Sequence, residues 1–319
     1  MTDTRAQEFI RDKAGNVVGV KATMTNGQKI DFSAKSVVLA SGGYGANRAM
    51  LPKKVASYLF YGLDSETGDG LAMGKKIGAG TINLDLVKQY PQGVETLPHH
   101  ALAATASSTD TMKKSGAIYV NRDGKRIVDE LAGLGTLTKI TEAQKDSIMY
   151  IVMDKAAWKQ YVAKSLEDKL VAAPSDLDKW AKIVNNGYPV IATSAKLADA
   201  AKTMGINAKG LQATIDRWNG FVKAGADKDF GRKVLMPFGE GPYYIVEQKP
   251  RFQTTLGGLK ANADMQILNK KGQPIGNLFG AGCVVGGANG SDSLTAMMNS
   301  WAIISGVVAG DSAVKNLKK

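Results

Sequence analysis

One cysteine, Cys283, and two histidines, His99 and His100, are the only thiol and imidazole ligands among 319 residues. A single thiol excludes an internal disulfide and any cysteine-based zinc or iron–sulfur site within the chain, and two histidines argue against a histidine-rich metal centre, so no metal is expected. No apolar run approaches the roughly 18 residues of a membrane-spanning helix. Met1-Thr2-Asp3-Thr4-Arg5 carries no apolar signal segment, from which a cytoplasmic location is expected. Acidic residues are the scarcer charge: 29 Asp and Glu against 41 Lys and Arg leave a formal +12. That surplus is spread over pairs such as Lys53-Lys54, Lys75-Lys76 and Lys270-Lys271, with no aromatic-interleaved basic motif. It implies a solvated basic surface, with weak attraction for anionic substrates second, and no nucleic-acid partner is expected.

What the chain has in quantity is glycine, 36 residues, within a composition that is 44% hydrophobic. Such a chain is globular and long enough for one large or two ordinary domains. The densest glycine stretch is Leu278-Phe279-Gly280-Ala281-Gly282-Cys283-Val284-Val285-Gly286-Gly287-Ala288-Asn289-Gly290, followed by an apolar segment through residue 306. A short apolar strand, a glycine-rich turn and a helix are expected there. Glycines let backbone N–H groups approach a ligand, and a helix N-terminus favours an electron-rich group.

This stretch, with Thr254-Thr255-Leu256-Gly257-Gly258-Leu259 upstream, resembles the C-terminal flavin signature of the fumarate reductase/succinate dehydrogenase flavoprotein family, particularly the soluble flavocytochrome c type. The resemblance continues through Ala40-Ser41-Gly42-Gly43-Tyr44-Gly45, Thr67-Gly68-Asp69-Gly70 and Gly116-Ala117-Ile118-Tyr119-Val120-Asn121-Arg122-Asp123-Gly124-Lys125-Arg126, in the family's order. It implies FAD as cofactor. It also implies an α/β fold with an α+β cap: a partial Rossmann-like FAD-binding domain in residues 1–90, an inserted substrate-capping domain in 91–252, and a returning FAD-binding segment in 253–319. The cofactor-binding residues it implies are Ala40, Ser41, Gly42, Gly43, Asp69, Gly70, Gly257, Gly258, Gly282, Cys283, Met298 and Asn299. The family opens with a strand and a Gly-x-Gly-x-x-Gly turn for the FAD pyrophosphate. None precedes residue 8 here, and Gly42-Gly43-Tyr44-Gly45 has the wrong spacing, so the chain is expected to be a fragment or one half of a divided protein.

Alternation predicts strands over 8–12, 17–24 and 28–32 with a turn at Thr25-Asn26-Gly27. The continuous apolar run 36–40 predicts a fully buried strand, and 68–80 a helix with Thr67 as N-cap. An Asp-Gly hairpin is expected over 117–130 and a buried strand over 147–153. Helices are expected over 155–166, 195–204 and 209–224, the last with Leu211, Ile215, Trp218 and Phe221 as a core stripe. A Gly- and Pro-rich linker over 230–242 is expected to hinge the cap, and 314–319 to form a solvated tail.

In the resembling enzymes, hydride passes from flavin N5 to one alkene carbon while an acid protonates its neighbour, and arginines hold the substrate carboxylates. Position by position, this chain has Leu134 at the family's acid arginine, Thr254 at its histidine, Ser293 at its second arginine, and Cys283 at the Glu of Ala-Gly-Glu. Thr109-Asp110-Thr111-Met112-Lys113 stands at Thr-Glu-x-x-Arg. Fumarate is therefore not the expected substrate; a less charged enone or enoate in a pocket lined by Leu134, Thr254, Ser293 and Met297 is. Lys113, Asp110 or Tyr119 is expected to supply the proton. Arg126 and Arg251 remain for a carboxylate, since guanidinium binds it bidentately and stays charged. His99 and His100 either face substrate or lie in a surface loop after Pro98. The partners implied are a small unsaturated acid or enone and an electron-donor domain or protein; the alternative function is a catalytically silent binding or assembly module.

Overall fold

Three short strands, Thr4–Arg11, Val17–Met24 and Lys29–Ser33, pair antiparallel in the order of the sequence, as the alternation and the turn at Gly27 predict. Gly27 has φ +87, a conformation that glycine adopts without strain. The computed structural model describes residues 1–294 and 296–317. Its chain divides into one unit of Met1–Ser57, Gly62–Lys88 and Gln253–Lys319 and a second of Tyr58–Tyr61 and Gln89–Phe252.

In the first unit, Val37–Leu39 pairs parallel to Pro274–Gly280, which also pairs antiparallel with Gln266–Leu268. The expectation of a fully buried strand fails here. Leu39 is buried, yet Val38, which faces the other side of this three-stranded sheet, is 40% exposed, and the strand lies at the sheet's edge. The helix Met297–Asn316 packs through Ala309 onto Phe279 and Ala281. Residues 314–316 thus belong to a helix rather than a loose tail, while Lys318 and Lys319 lie outside the described residues. The helix Asp69–Lys76 begins after Gly68, whose left-handed backbone (φ 78) takes the N-cap place expected of Thr67.

The second unit is built on a seven-stranded sheet in the order Leu59–Phe60, His100–Ala103, Val87–Leu97, Tyr243–Thr255, Met149–Met153, Ile118–Val120, with Ile191–Ser194 also pairing Tyr243–Thr255. Successive side chains of a strand face opposite ways. Met149, Ile151 and Met153 join one apolar cluster, with Leu137, Ala157, Tyr161 and Trp180; Tyr150 and Val152 join another, with Ala200, Leu211, Ile215 and Trp218. Helices cover both faces, which is why that strand is apolar almost throughout. Asp154 ends it and caps Lys155–Glu167, accepting from the Ala157 N–H at 2.7 Å.

The segment 230–242 is not a free hinge. Asn219 and Trp218, on the helix Ala208–Ala224, bind the carbonyls of Phe238 and Met236, Gly239 donates to Asp154, and Arg232 is fully buried. Composition predicts a loose linker; backbone hydrogen bonding straps it to the unit instead.

Candidate functional site

The first unit carries a place where backbone meets backbone. The Gly286 N–H donates to the Leu259 carbonyl at 3.1 Å, and the Ala281 N–H to the Leu39 carbonyl at 2.9 Å. A Cβ on Gly258 would lie 2.4 Å from the Val284 oxygen, one on Gly286 would lie 2.3 Å from the Gly258 nitrogen, and one on Gly257 would lie 2.0 Å from the Asn83 oxygen. No side chain fits between these segments, so glycine is a steric requirement here rather than a flexible choice. Elsewhere in this unit, a Cβ on Gly70 would strike the Ser41 hydroxyl at 2.0 Å. Ala40 and Ser41 are themselves exposed. An open cavity of about 590 Å³ is lined by Arg5, Leu39, Ser41, Thr67, Asp69 and Gly70 among others. Asp69, expected to face the cofactor, is held by Arg5 through two 2.7 Å hydrogen bonds, which keep its carboxyl below the usual range.

Gly43 brings a second group together. A Cβ there would lie 2.4 Å from Thr255 Oγ1, 3.3 Å from Glu66 Oε2 and 3.6 Å from Cys283 Cβ. Thr255 Oγ1 and Glu66 Oε2 are buried and have no hydrogen-bond partner among the described residues. Burial raises the Glu66 carboxyl to about 7, against a lowering hydrogen bond from the Gly45 backbone. Burial also pushes the Cys283 thiol up; the Thr254 hydroxyl, 3.5 Å away, works against that, and Glu66 adds to it. Buried polar atoms without partners are exceptions in folded proteins, and an ordered water, strain or a bound group can account for each. Sequence reasoning does not single out Glu66 or Thr255. Each adjoins a motif, and an acid immediately before Thr67-Gly68-Asp69 is the signal that could have found the first.

The remaining candidates separate. Gly257, Gly258, Gly282, Cys283, Thr254 and Ser293 belong to the first unit. Ser293 is buried, but its hydroxyl is engaged by the Leu294 carbonyl at 3.1 Å. Met298 accepts from the Asn289 amide at 2.9 Å, and Asn299 is exposed on the first turn of its helix. That helix starts at Met297, several residues beyond the last glycine of the turn, Gly290, rather than directly after it.

Leu134, Lys113, Asp110, Arg126, His99 and His100 belong to the second unit. Leu134 opens the helix Leu134–Glu142 at 36% exposure. Lys113 is exposed, and Asp110 pairs with Lys114 at 3.0 Å rather than with Lys113. His99 and His100 are exposed at the tip of the hairpin joining Val87–Leu97 to His100–Ala103. Arg126 is buried against acids: Glu130 accepts from it at 2.8 and 2.7 Å, and Asp227 lies 2.8 Å from its third nitrogen. Its guanidinium is taken up by the protein, which corrects its expected role as a carboxylate anchor. Tyr119 is fully buried and accepts from Gln92 at 3.2 Å; burial pushes its hydroxyl well up. Among the described residues no cluster of three or more His, Cys, Asp or Glu could hold a metal, and no helix is long and apolar enough to cross a membrane.

A mixed α/β chain whose glycines close backbone on backbone, beside unpartnered buried polar atoms, has features that suit a bound cofactor. Residues 1–297 match the FAD binding domain family, and the chain belongs to it. It is 33% identical over 318 residues to a urocanate reductase of Eggerthella lenta, covering 98% of this chain and 50% of that protein. It is 30% identical over 321 residues to a fumarate reductase (cytochrome) of Shewanella frigidimarina, covering 99% and 52%. The open conformation of a flavocytochrome c3 fumarate reductase matches with TM-score 0.78 at 27% identity, over 98% of this chain and 52% of that one. The chain spans about half the length of the curated relatives it matches.

Proposed function

We propose that this chain supplies part of the FAD-binding domain and the substrate cap of an FAD-dependent oxidoreductase that reduces, or forms, a carbon–carbon double bond next to a carboxylate or carbonyl. The observation that carries this reading is the Gly43 cluster, where a cradle too narrow for any Cβ adjoins two unpartnered buried oxygens in segments of an FAD-binding family. The residues fit the cofactor. Gly42, Gly43, Gly257, Gly258, Gly286 and Cys283 would hold it by close backbone approach, with Thr255 as a donor and Glu66, when protonated, as another. When bound, the flavin supplies hydride exchange at N5.

The names of the relatives, urocanate reductase and fumarate reductase, support the substrate class. Fumarate itself is the less favoured substrate. At the family's cationic positions stand Leu134, Thr254 and Ser293, none able to neutralise a carboxylate.

The test is an absorbance titration of the purified chain with FAD and with FMN, followed by reoxidation of the reduced flavin by a panel of enoates and enones using the complete protein. Preference for FAD and reoxidation by at least one enoate are expected. A complete protein that holds reduced FAD but is reoxidised by no enoate or enone would falsify the reading and leave a silent binding module.

A further inference from the structure

Arg251 is 4% exposed, on the strand Tyr243–Thr255 of the second unit, and it differs from the other deeply buried arginines. Arg126 has Glu130 and Asp227; Arg232 has Glu130, 3.2 Å away, together with the backbone carbonyls of Ala117, Met112 and Ser115. Arg251 has no acid. Its Nε donates to the Gln92 carbonyl at 3.3 Å and its Nη2 to the Thr105 hydroxyl at 3.0 Å, while Nη1 is buried with no partner. Two tyrosine rings lie over the guanidinium, Tyr90 at 4.2 Å and Tyr61 at 4.8 Å from its central carbon. Burial lowers its pKa to about 10, which leaves it charged at neutral pH.

Burying a cation without a counter-ion is expensive, and aromatic faces with neutral acceptors offset only part of the cost. A fold that keeps such a group has a charge vacancy of one sign. The donors left open are those of Nη1, and the nearest lysine on the same strand, Lys249, is committed to Glu95 at 2.6 Å and Glu247 at 2.8 Å. One unpaired guanidinium neutralises one carboxylate. A second carboxylate on the same ligand would find no free cation among these residues.

We propose that Arg251 is an anion subsite within the second unit that takes the single carboxylate of an unsaturated monocarboxylate, the substrate class of the proposed reduction, on which this inference rests. The carboxylate accepts from Nη1 and supplies the counter-charge the protein withholds. Thr105 and the Gln92 backbone fix the guanidinium plane, so the anion meets a donor already oriented.

The test uses the full chain with trans-cinnamate, its methyl ester and fumarate as probes, followed by calorimetric titration and thermal melting. Cinnamate is expected to bind in preference to both the ester and fumarate. The Arg251→Gln variant is expected to weaken cinnamate on the order of ten- to hundredfold, the range for losing a charge-assisted hydrogen bond, and Arg251→Lys to retain part of the affinity. A second readout separates this role from a structural one: without ligand, Arg251→Gln melts no lower than the parent chain, because the unpaired buried charge is gone. Equal binding of acid and ester, no binding of cinnamate, or undiminished affinity in Arg251→Gln overturns the subsite. Reduction assays on the complete protein fail or succeed separately. Enoate reduction that survives Arg251→Gln with unchanged KM removes the anchor and leaves the reductase, whereas Arg251-dependent binding without any reduction removes the reductase and leaves the anchor.

Discussion

Glu66 carries a pH dependence that its neighbours dictate. Its folded pKa of about 7 lies above the ordinary carboxylate value of 4.5, so the folded state holds a proton that the unfolded chain gives up at lower pH. Its favourable contribution is therefore intact below about pH 4.5, declines between 4.5 and 7, and stays lost above. Glu66→Gln is expected to gain stability relative to the parent chain at pH 8 and to gain little at pH 5, read by thermal unfolding at both. A difference of equal size at the two pH values would show that Glu66 is not titrating there. The lone thiol offers an independent readout. Cys283 alkylates slowly at pH 7 if burial and Glu66 hold its pKa up, and Glu66→Gln should speed alkylation at pH 8. At this scale the sequence shows which residue types stand at motif positions, Cys283 and Thr254 included. It does not show that Gly43, Glu66, Thr255 and Cys283 share one place, because chain separations from Gly43 to Cys283 are bridged only by the tertiary fold.

Elements differ in how much of their environment is local. The run 149–153 is recognisable because burial on both faces makes it apolar throughout, and the stripe Leu211, Ile215, Trp218, Phe221 because one buried face imposes helical spacing. The run at 37–39 looks the same in sequence but has a strand on one side alone, and apolar composition does not reveal which edges are paired. Likewise the strap 230–242 has the composition of a loop and the bonding of a core segment. Its anchor is Arg232, whose one ion-pair partner among the described residues is Glu130, itself shared with Arg126. Glu130→Gln leaves the buried Arg232 guanidinium without a carboxylate, while Arg126 keeps Asp227, and is expected to cost about 3–5 kcal/mol, measured by denaturant unfolding. A cost under about 1 kcal/mol would mean the backbone carbonyls around Arg232 suffice. In the first unit, Gly258→Ala places a methyl 2.4 Å from the Val284 oxygen. The expected cost is about 1–3 kcal/mol or more, with loss of FAD binding in the absorbance titration. Retained FAD affinity in that variant would show that the glycine contact is not part of the cradle.

At the scale of the whole molecule, the helix Met297–Asn316 is apolar around most of its circumference, a pattern that ordinarily means burial on all sides. The structure buries only its Ser305 and Ala309 side, leaving Ile303 69%, Ile304 60% and Val307 61% exposed. These positions are neighbours on the helix surface, so they form one face rather than scattered side chains. Contiguous apolar surface of this kind binds hydrophobic dyes and drives association. The purified chain is therefore expected to enhance anilinonaphthalene sulfonate fluorescence and to sediment with a concentration-dependent average mass. Replacing Ile303 and Val307 together with lysine should reduce both effects. It should shift Tm little, because exposed substitutions away from specific contacts usually change stability by about 0.5 kcal/mol or less. A large fall in Tm with unchanged dye binding would mean that this face is packed in solution, and that the exposed surface lies elsewhere.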